Sequence, residues 1–377
     1  MTLDIVIFGL SLSSSWGNGH ATTYRALCKA LHQRGHRITF LERDTPWYRN
    51  HRDLPDPSYC RLELYNDLKE VPSRHTKLVS KADLVIIGSY VPNGAVLSDW
   101  IAMNASGVTA FYDIDTPVTL AMLERGDGDY MTSALVPRFD LYLSFTDGPV
   151  LEHIERVYGS PRARALQCSV DPEAHKPLIQ NPTWSLGYLG TYSEDRDPAL
   201  KRFLLDPALR LTGERFVVAG ARYPAELAWP PNVERIEHVP PDAHAAFYCG
   251  QRYTLNVTRA DMVAAGFSPS VRLFEAAACG VPIISDRWPG IEKLFKPDDE
   301  ILIVDRTRQV VDILRDLPEE RRLEIAAAAR RRVLAGHTAE QRARQLESYY
   351  IEARTSEPAR RAGRRCPVMS GGADAFA

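Results

Sequence analysis

Long apolar runs are missing from this chain of 377 residues. No window approaches the roughly twenty consecutive apolar residues of a membrane-spanning helix, so any membrane contact is expected to be peripheral, at the inner membrane surface. An excess of charge of one sign is missing too: 46 Lys and Arg face 48 Asp and Glu, for a net charge of −2. That balance lacks the basic footprint of a nucleic-acid binder, and no nucleic-acid partner is expected, although a local basic cleft for a diphosphate stays compatible. Cysteine is sparse, and Cys28, Cys60, Cys168, Cys249, Cys279 and Cys366 form no C-x-x-C pair. They read as reduced and mostly structural. The N-terminal MTLDIVIFGL has neither a basic start nor a small-residue cleavage site, and it carries an acid at Asp4. It reads as cytoplasmic, without a transmembrane segment.

What is present is ordinary globular composition, 45% hydrophobic and 25% charged, over a length that suits two domains sharing a cleft. Short apolar runs alternate with helical patterns from the start: IVIFGL (5–10), a helix over about 21–34, then RITFLE (37–42). That is a βαβ signature. Runs at 83–89, 108–114 and 140–145 follow with room for crossover helices, so a parallel sheet is expected. The pattern restarts after a Pro-rich stretch at 172–182, with runs at 186–190, 215–220, 233–239, 253–258, 281–286 and 300–305. The expected fold is α/β: two Rossmann-like doubly wound domains, 1–170 and 171–336, facing a central cleft. A helix over 337–353 follows, and the tail 354–377, rich in Arg, Pro, Gly and Ala, is expected to be disordered.

Ligands of open parallel sheets bind beyond the carboxyl ends of the strands, which gives four loops priority. The first, 11–24, places Gly17 and Gly19 before a helix, where a ligand can approach the backbone, or where they simply form a flexible turn. It is not the G-x-G-x-x-G of a dinucleotide site. The second holds Asp113 and Asp115. Their D-x-D spacing invites a divalent cation, a helix cap, or a general base for an acceptor hydroxyl; no third ligand is evident, and no metal is assigned. The third, 191–196, brings Arg196 to a helix start, as a phosphate contact or a surface ion pair. The fourth, 256–286, is the most informative. Arg259 follows a strand, Ser268 and Ser270 sit in a small polar turn, and Arg272 and Glu275 lie three apart on the next helix. A diphosphate there would gain from the helix dipole and a bidentate arginine, and Glu275 could accept two ribose hydroxyls; a plain i,i+3 Arg–Glu pair is the alternative.

The run Leu273-Phe274-Glu275-Ala276-Ala277-Ala278-Cys279-Gly280-Val281-Pro282 resembles the donor-binding element of the GT-B glycosyltransferases, particularly the group-1 branch with its CgeB-like spore-maturation family. Ser169-Val170-Asp171-Pro172 and the LGYLGT run at 186–191 resemble other parts of that family, and the resemblance spans about residues 4–346. It implies a GT-B fold whose last helix crosses back onto the first domain, Glu275 as the glutamate that holds the donor ribose, and structural roles for Gly280 and Pro282. One departure stands out: group-1 enzymes often carry a second glutamate eight positions earlier, and here that position is Phe267. CgeB-like proteins commonly lack it as well.

The resemblance implies transfer of a sugar from a nucleoside-diphosphate-sugar donor to an acceptor, with no obligatory metal or cofactor. Donor-binding candidates are Gly17, Gly19, Arg196, Arg259, Ser268, Ser270, Arg272 and Glu275, and catalytic candidates are Asp113 and Asp115. The acceptor, whether glycan, lipid, protein or small molecule, is not specified by the sequence. A sugar-nucleotide-binding protein without turnover and a GT-B-fold epimerase remain alternatives, since architecture does not fix chemistry.

Overall fold

The computed structural model describes residues 1–355. Residues 356–377, which include Cys366 and most of the expected tail, lie outside the described residues. The chain forms two compact units: Met1–Gln167 joined by the chain from Glu340, and Cys168–Ala339.

The first unit is built on seven parallel strands, β1 (Asp4–Gly9), β2 (Arg37–Arg43), β3 (Arg61–Tyr65), β4 (Leu84–Gly88), β5 (Val108–Asp113), β6 (Leu141–Ser144) and β7 (Ala163–Ala165), in the order β3-β2-β1-β4-β5-β6-β7. From β1 the chain moves outward through β2 and β3, then returns to β4 on the other side. The central strands β4 and β5 are buried along their whole length. They read as continuous apolar runs because helices cover both sheet faces. Register is set by pairs such as Asp4↔Arg37 and Ile5↔Leu84. The helix Gly19–Gln33 follows β1, with the Asn18 side chain accepting from the His20 N–H at its start, and it buries Ala21, Tyr24, Leu27 and Leu31. Leu27 and Leu31 each contribute about 1.5–3 kcal/mol by leaving water. Edge strands β3 and β7 carry Arg, Glu or Ala rather than an apolar run, so the sequence pattern does not announce them.

The second unit has six parallel strands, β8 (Trp184–Leu189), β9 (Phe216–Ala219), β10 (Val233–Ile236), β11 (Gln251–Asn256), β12 (Ile283–Ser285) and β13 (Leu302–Ile303), in the order β10-β9-β8-β11-β12-β13. Its strand order reverses between β8 and β11. Between β11 and β12 the helix Val271–Ala278 buries every residue from Arg272 to Ala278. Gly280, at φ +72°, ends it in a conformation open to glycine. The long helix Glu319–Gly336 packs beside it, with Arg330 Nε donating to Ala278 O at 3.1 Å.

After the second unit the chain returns to the first. The helix Ala339–Thr355 docks there through a buried apolar face of Ala343, Leu346, Tyr350 and Ala353, flanked by charged contacts. Glu347 accepts from Arg34 Nε at 2.7 Å and Nη2 at 2.8 Å, and lies 2.8 Å from His36 Nε2. Because His36 Nδ1 accepts from the Leu3 N–H, its Nε2 carries the proton that Glu347 receives. Arg164 pairs with Glu352, and the Tyr349 hydroxyl donates to Ala165 O at 2.9 Å. Among the described residues no helix is long and apolar enough to cross a membrane.

Candidate functional site

The strand-order reversal between β8 and β11 makes the carboxyl ends of those strands the natural ligand crevice of the second unit. Arg272 spans it. Its Nε donates to Leu189 O at the end of β8 (2.6 Å), and its Nη1 donates to Asn256 Oδ1 at the end of β11 (2.9 Å). The guanidinium lies over the Tyr188 ring, 4.6 Å from its centroid. Gly190 lets the backbone pass: a Cβ there would stand 2.6 Å from the Tyr188 hydroxyl and 2.9 Å from Arg272 Nη2. Asn256 is itself held, since its Nδ2 donates to Ser285 Oγ at 2.9 Å, which turns Oδ1 toward Arg272 and Ser270. Asp286 completes the network by accepting from the Thr258 N–H and hydroxyl at 3.0 and 2.9 Å; burial holds its carboxyl above the ordinary range.

Ser270 stands at the N-cap of the Val271–Ala278 helix, yet it makes no side-chain cap. Its hydroxyl donates to Asn256 Oδ1 at 2.8 Å instead. The first turn of that helix, with the positive end of its dipole, therefore lacks the side-chain acceptor that an N-cap serine usually supplies.

The remaining expected residues of this unit gather more loosely. Arg196 donates to Thr191 O at 2.6 Å, and its Nε is buried without a hydrogen-bond partner among the described residues. Arg259 Nε stands 4.0 Å from Asp195 Oδ2, which also accepts from the Ala260 N–H at 2.9 Å, so the loops after β8 and β11 meet there. Ser268 is buried. Phe267 takes a left-handed φ of +51°, its N–H donates to Pro289 O, and Lys293 Nζ lies 4.7 Å from its ring centroid.

Glu275 faces a different neighbourhood from Arg272. It is 2% exposed, and the Tyr248 hydroxyl donates to its Oε2 at 2.9 Å. His175 Nε2 lies 3.6 Å from Oε1 and His244 Nδ1 lies 3.9 Å from Oε2. Burial pushes the carboxyl up, but the two imidazoles, Tyr248 and Arg272 more than offset it, and Glu275 sits below its ordinary range. The expected i,i+3 alternative is not what forms: Arg272 is committed to Leu189 and Asn256. Neither histidine, nor Tyr248, nor Asn256 was singled out from sequence. An isolated histidine carries little signal, although Asn256 could be found as a polar residue closing an apolar strand run.

In the first unit, Gly17 (φ +60°) and Gly19 are exposed and have open space where a Cβ would stand. The serines before them are already engaged. Glu42 accepts from the N–H groups of Leu12 and Ser13 at 2.6 and 2.9 Å and from the Ser13 hydroxyl at 2.6 Å, while Asp53 takes the Ser15 N–H and hydroxyl. The N–H groups of Leu12, Ser13 and Ser15 thus serve protein carboxylates, and that of Ser14 serves Ser11 Oγ. Asp113, at the end of β5, is fully buried and accepts from the Thr119 hydroxyl at 2.6 Å and from Tyr142. Burial pushes its carboxyl up to about 7. Asp115 is partly exposed at the N-cap of the helix Thr116–Arg125, without capping it. Its charge acts on His20, at the start of the Gly19–Gln33 helix, whose imidazole burial pushes below its ordinary value while Asp115 pulls it back. His20 also meets Tyr90 edge-on at 5.4 Å.

Residues 196–348 match a family model described as glycosyl transferase-like. No curated protein matches the chain. Similar solved structures cover nearly all of it. A sucrose-phosphate synthase from Thermosynechococcus elongatus is 15% identical, with a TM-score of 0.66 over 94% of this chain and 100% of that one. HepE of Anabaena in complex with UDP is 12% identical, with a TM-score of 0.68 over 93% and 100%. An alpha-glucosyltransferase in complex with UDP-glucose and DNA containing an abasic site is 14% identical, with a TM-score of 0.66 over 93% and 100%. The two parallel-sheet units, whose second holds Asn256, Ser270 and Arg272 of the crevice inside the family match, make this a GT-B fold.

Proposed function

We propose that this protein transfers a sugar from a nucleoside-diphosphate-sugar to an acceptor, and that the donor diphosphate lies at the β8/β11 crevice of the second unit. The observation that carries this reading is Arg272, held across the two strand ends beside the uncapped first turn of the Val271–Ala278 helix. A fixed guanidinium and the free N–H groups of a helix start, set side by side, would stabilise the charge that develops on a departing diphosphate with little reorganisation. Arg259 and Arg196 stand on the adjoining loops to add to that field, with Ser268 and Ser270 in the turn before the helix. The similar structures that hold UDP or UDP-glucose make a UDP-sugar the first donor to try. One of them holds DNA, but the net charge of −2 gives no reason to carry that partner over.

On the acceptor side, the proposed proton acceptor is His20 with Asp115 beside it. A histidine held below its ordinary value is neutral near pH 7 and ready to take a proton, and a neighbouring carboxylate stabilises the imidazolium that results. Fully buried Asp113 supports this end of the sheet by fixing Thr119 and Tyr142.

The test is thermal stabilisation of the purified protein across nucleoside diphosphates and their sugars, with NAD as control, followed by assay of donor consumption with and without acceptor pools. Stabilisation by one nucleotide and acceptor-dependent consumption support the proposal. A response to NAD alone, or donor binding that never leads to consumption, overturns it.

A further inference from the structure

We infer that His175, His244 and Glu275 of the second unit form a binding site for one divalent transition-metal ion of the zinc class. One coordinating atom from each residue lies within 4.8 Å of the other two. The three side chains come from separate places: the segment that opens the unit, the first residue of the helix His244–Cys249, and the middle of the helix Val271–Ala278.

The protonation pattern points the same way. His244 Nε2 lies 3.2 Å from Val239 O, an acceptor only, so Nε2 carries the hydrogen. In the neutral ring Nδ1 is then a bare lone pair, and it faces Glu275 Oε2, another lone-pair atom, across 3.9 Å. Two acceptors confront each other with no donor between them. On the other side, both ring nitrogens of His175, which is 4% exposed, lack a hydrogen-bond partner among the described residues, as does Glu275 Oε1. A buried carboxylate between two imidazoles with this pattern wants a cation at the convergence point.

The geometry and donor set narrow the choice of ion. Metal bonds of about 2.0–2.2 Å in a tetrahedral site place ligand atoms roughly 3.4 Å apart. The two imidazoles stand 3.6 and 3.9 Å from different oxygens of Glu275, and the three ligand atoms, within 4.8 Å of one another, would draw together around the ion to reach that spacing. Two imidazoles and one carboxylate suit zinc and its neighbours rather than calcium or magnesium, which favour all-oxygen sets. The outer partners are in place as well: Val239 O fixes the His244 tautomer, and the Tyr248 hydroxyl fixes one Glu275 oxygen. The bound ion would pin the start of the unit to the helix that carries Arg272. The inference takes Glu275 as a metal ligand rather than as the ribose acceptor the resemblance implies, but it uses none of the Arg272 contacts that carry the sugar-transfer proposal, so either can fail alone.

The experiment is titration of the chelator-stripped full chain with Zn²⁺ by calorimetry, with metal content measured after dialysis and Co²⁺ used as a spectroscopic probe. The expected result is about one tightly bound Zn²⁺ per chain, a rise in Tm on adding it, and affinity lowered by roughly a hundredfold in His244→Ala and Glu275→Gln. Bound Co²⁺ should show the intense visible bands of a low-coordinate nitrogen and oxygen site. The proposal is overturned if the wild-type chain takes up no stoichiometric Zn²⁺, or if a His175→Ala/His244→Ala double variant takes up as much. The Co²⁺ spectrum needs only the wild-type chain, so misfolding of a variant leaves the question decidable: a spectrum of weak octahedral Co²⁺ also overturns it.

Discussion

Arg272 Nη1 donates to Asn256 Oδ1 across 2.9 Å, tying the first turn of the Val271–Ala278 helix to the end of β11. With the second bond to Leu189 O, the arginine serves the fold and the proposed donor site at once. Arg272→Ala is expected to abolish nucleotide-dependent stabilisation and also to lower stability by about 1–3 kcal/mol, because two buried acceptors lose their donor. Arg272→Lys retains the charge but cannot span both acceptors, so a large loss of binding is expected there too. Differential scanning fluorimetry with and without UDP reads both effects. Unaltered stabilisation by UDP in either variant would remove Arg272 from the site.

His20 and Asp115 are expected to affect turnover without affecting donor binding. His20→Ala should lower kcat/KM by about 10²–10⁴, the usual contribution of a general base, while the UDP-induced Tm shift is retained. Asp115→Asn should cost less. Because burial holds the His20 imidazole below its ordinary value, the rise of kcat/KM with pH should be complete by neutrality. A profile still climbing through pH 8, or a fully active His20→Ala enzyme, would exclude this base.

Asp113 gives stability a pH dependence of unusual sign for an aspartate. Its folded-state value of about 7 stands above the ordinary 3.8, so the folded chain binds the proton more tightly than the unfolded one. The stabilising contribution of this group is fully present below pH 3.8 and is lost as pH rises through 7. Asp113→Asn, which keeps an acceptor oxygen for Tyr142 and Thr119, should remove that decline. Parallel pH profiles of Tm for the two proteins would contradict the assignment.

Glu347 behaves in the opposite way. Arg34 leads, with His36 adding to it, in holding its carboxyl below the ordinary 4.5 against partial burial. Its contribution is present above pH 4.5 and is lost as pH falls through the lower folded-state value. Glu347→Ala leaves the His36 Nε2–H buried without its acceptor and should cost about 1–3 kcal/mol. Chemical denaturation at neutral pH, repeated at pH 4, should show the difference shrinking in acid; a constant difference would mean that packing, not charge, holds the helix.

The repeated alternation of apolar runs and helical patterns made both central sheets legible, because strands covered on both faces need to be apolar along their length. Edge strands β3 and β7 escaped for the converse reason: in β3, exposed Arg61 pairs with Glu63 where an apolar run would stand in a central strand. At the site, Arg272 and Ser270 were legible from their position between a strand and a helix start. The surroundings of Glu275 were not. His175 and His244 are 100 and 31 residues away along the chain, and only the packing of three separate segments brings them to one carboxylate. The serine run 11–15 looked open to a ligand, yet the hydrogen bonds to Glu42 and Asp53 could not be inferred from spacing.

The return of the last helix to the first unit also orders events during synthesis. Residues 168–339 hold everything the second unit needs, whereas the first unit requires Glu347 and Glu352, made some 180 residues after Gln167. On a ribosome that emits the chain from its N-terminus, the second unit can close while the first still lacks the partners of Arg34, His36 and Arg164. The half of the protein that is translated first is therefore the half that is finished last, and a nascent chain stalled before residue 340 would present an incomplete first unit to chaperones and proteases.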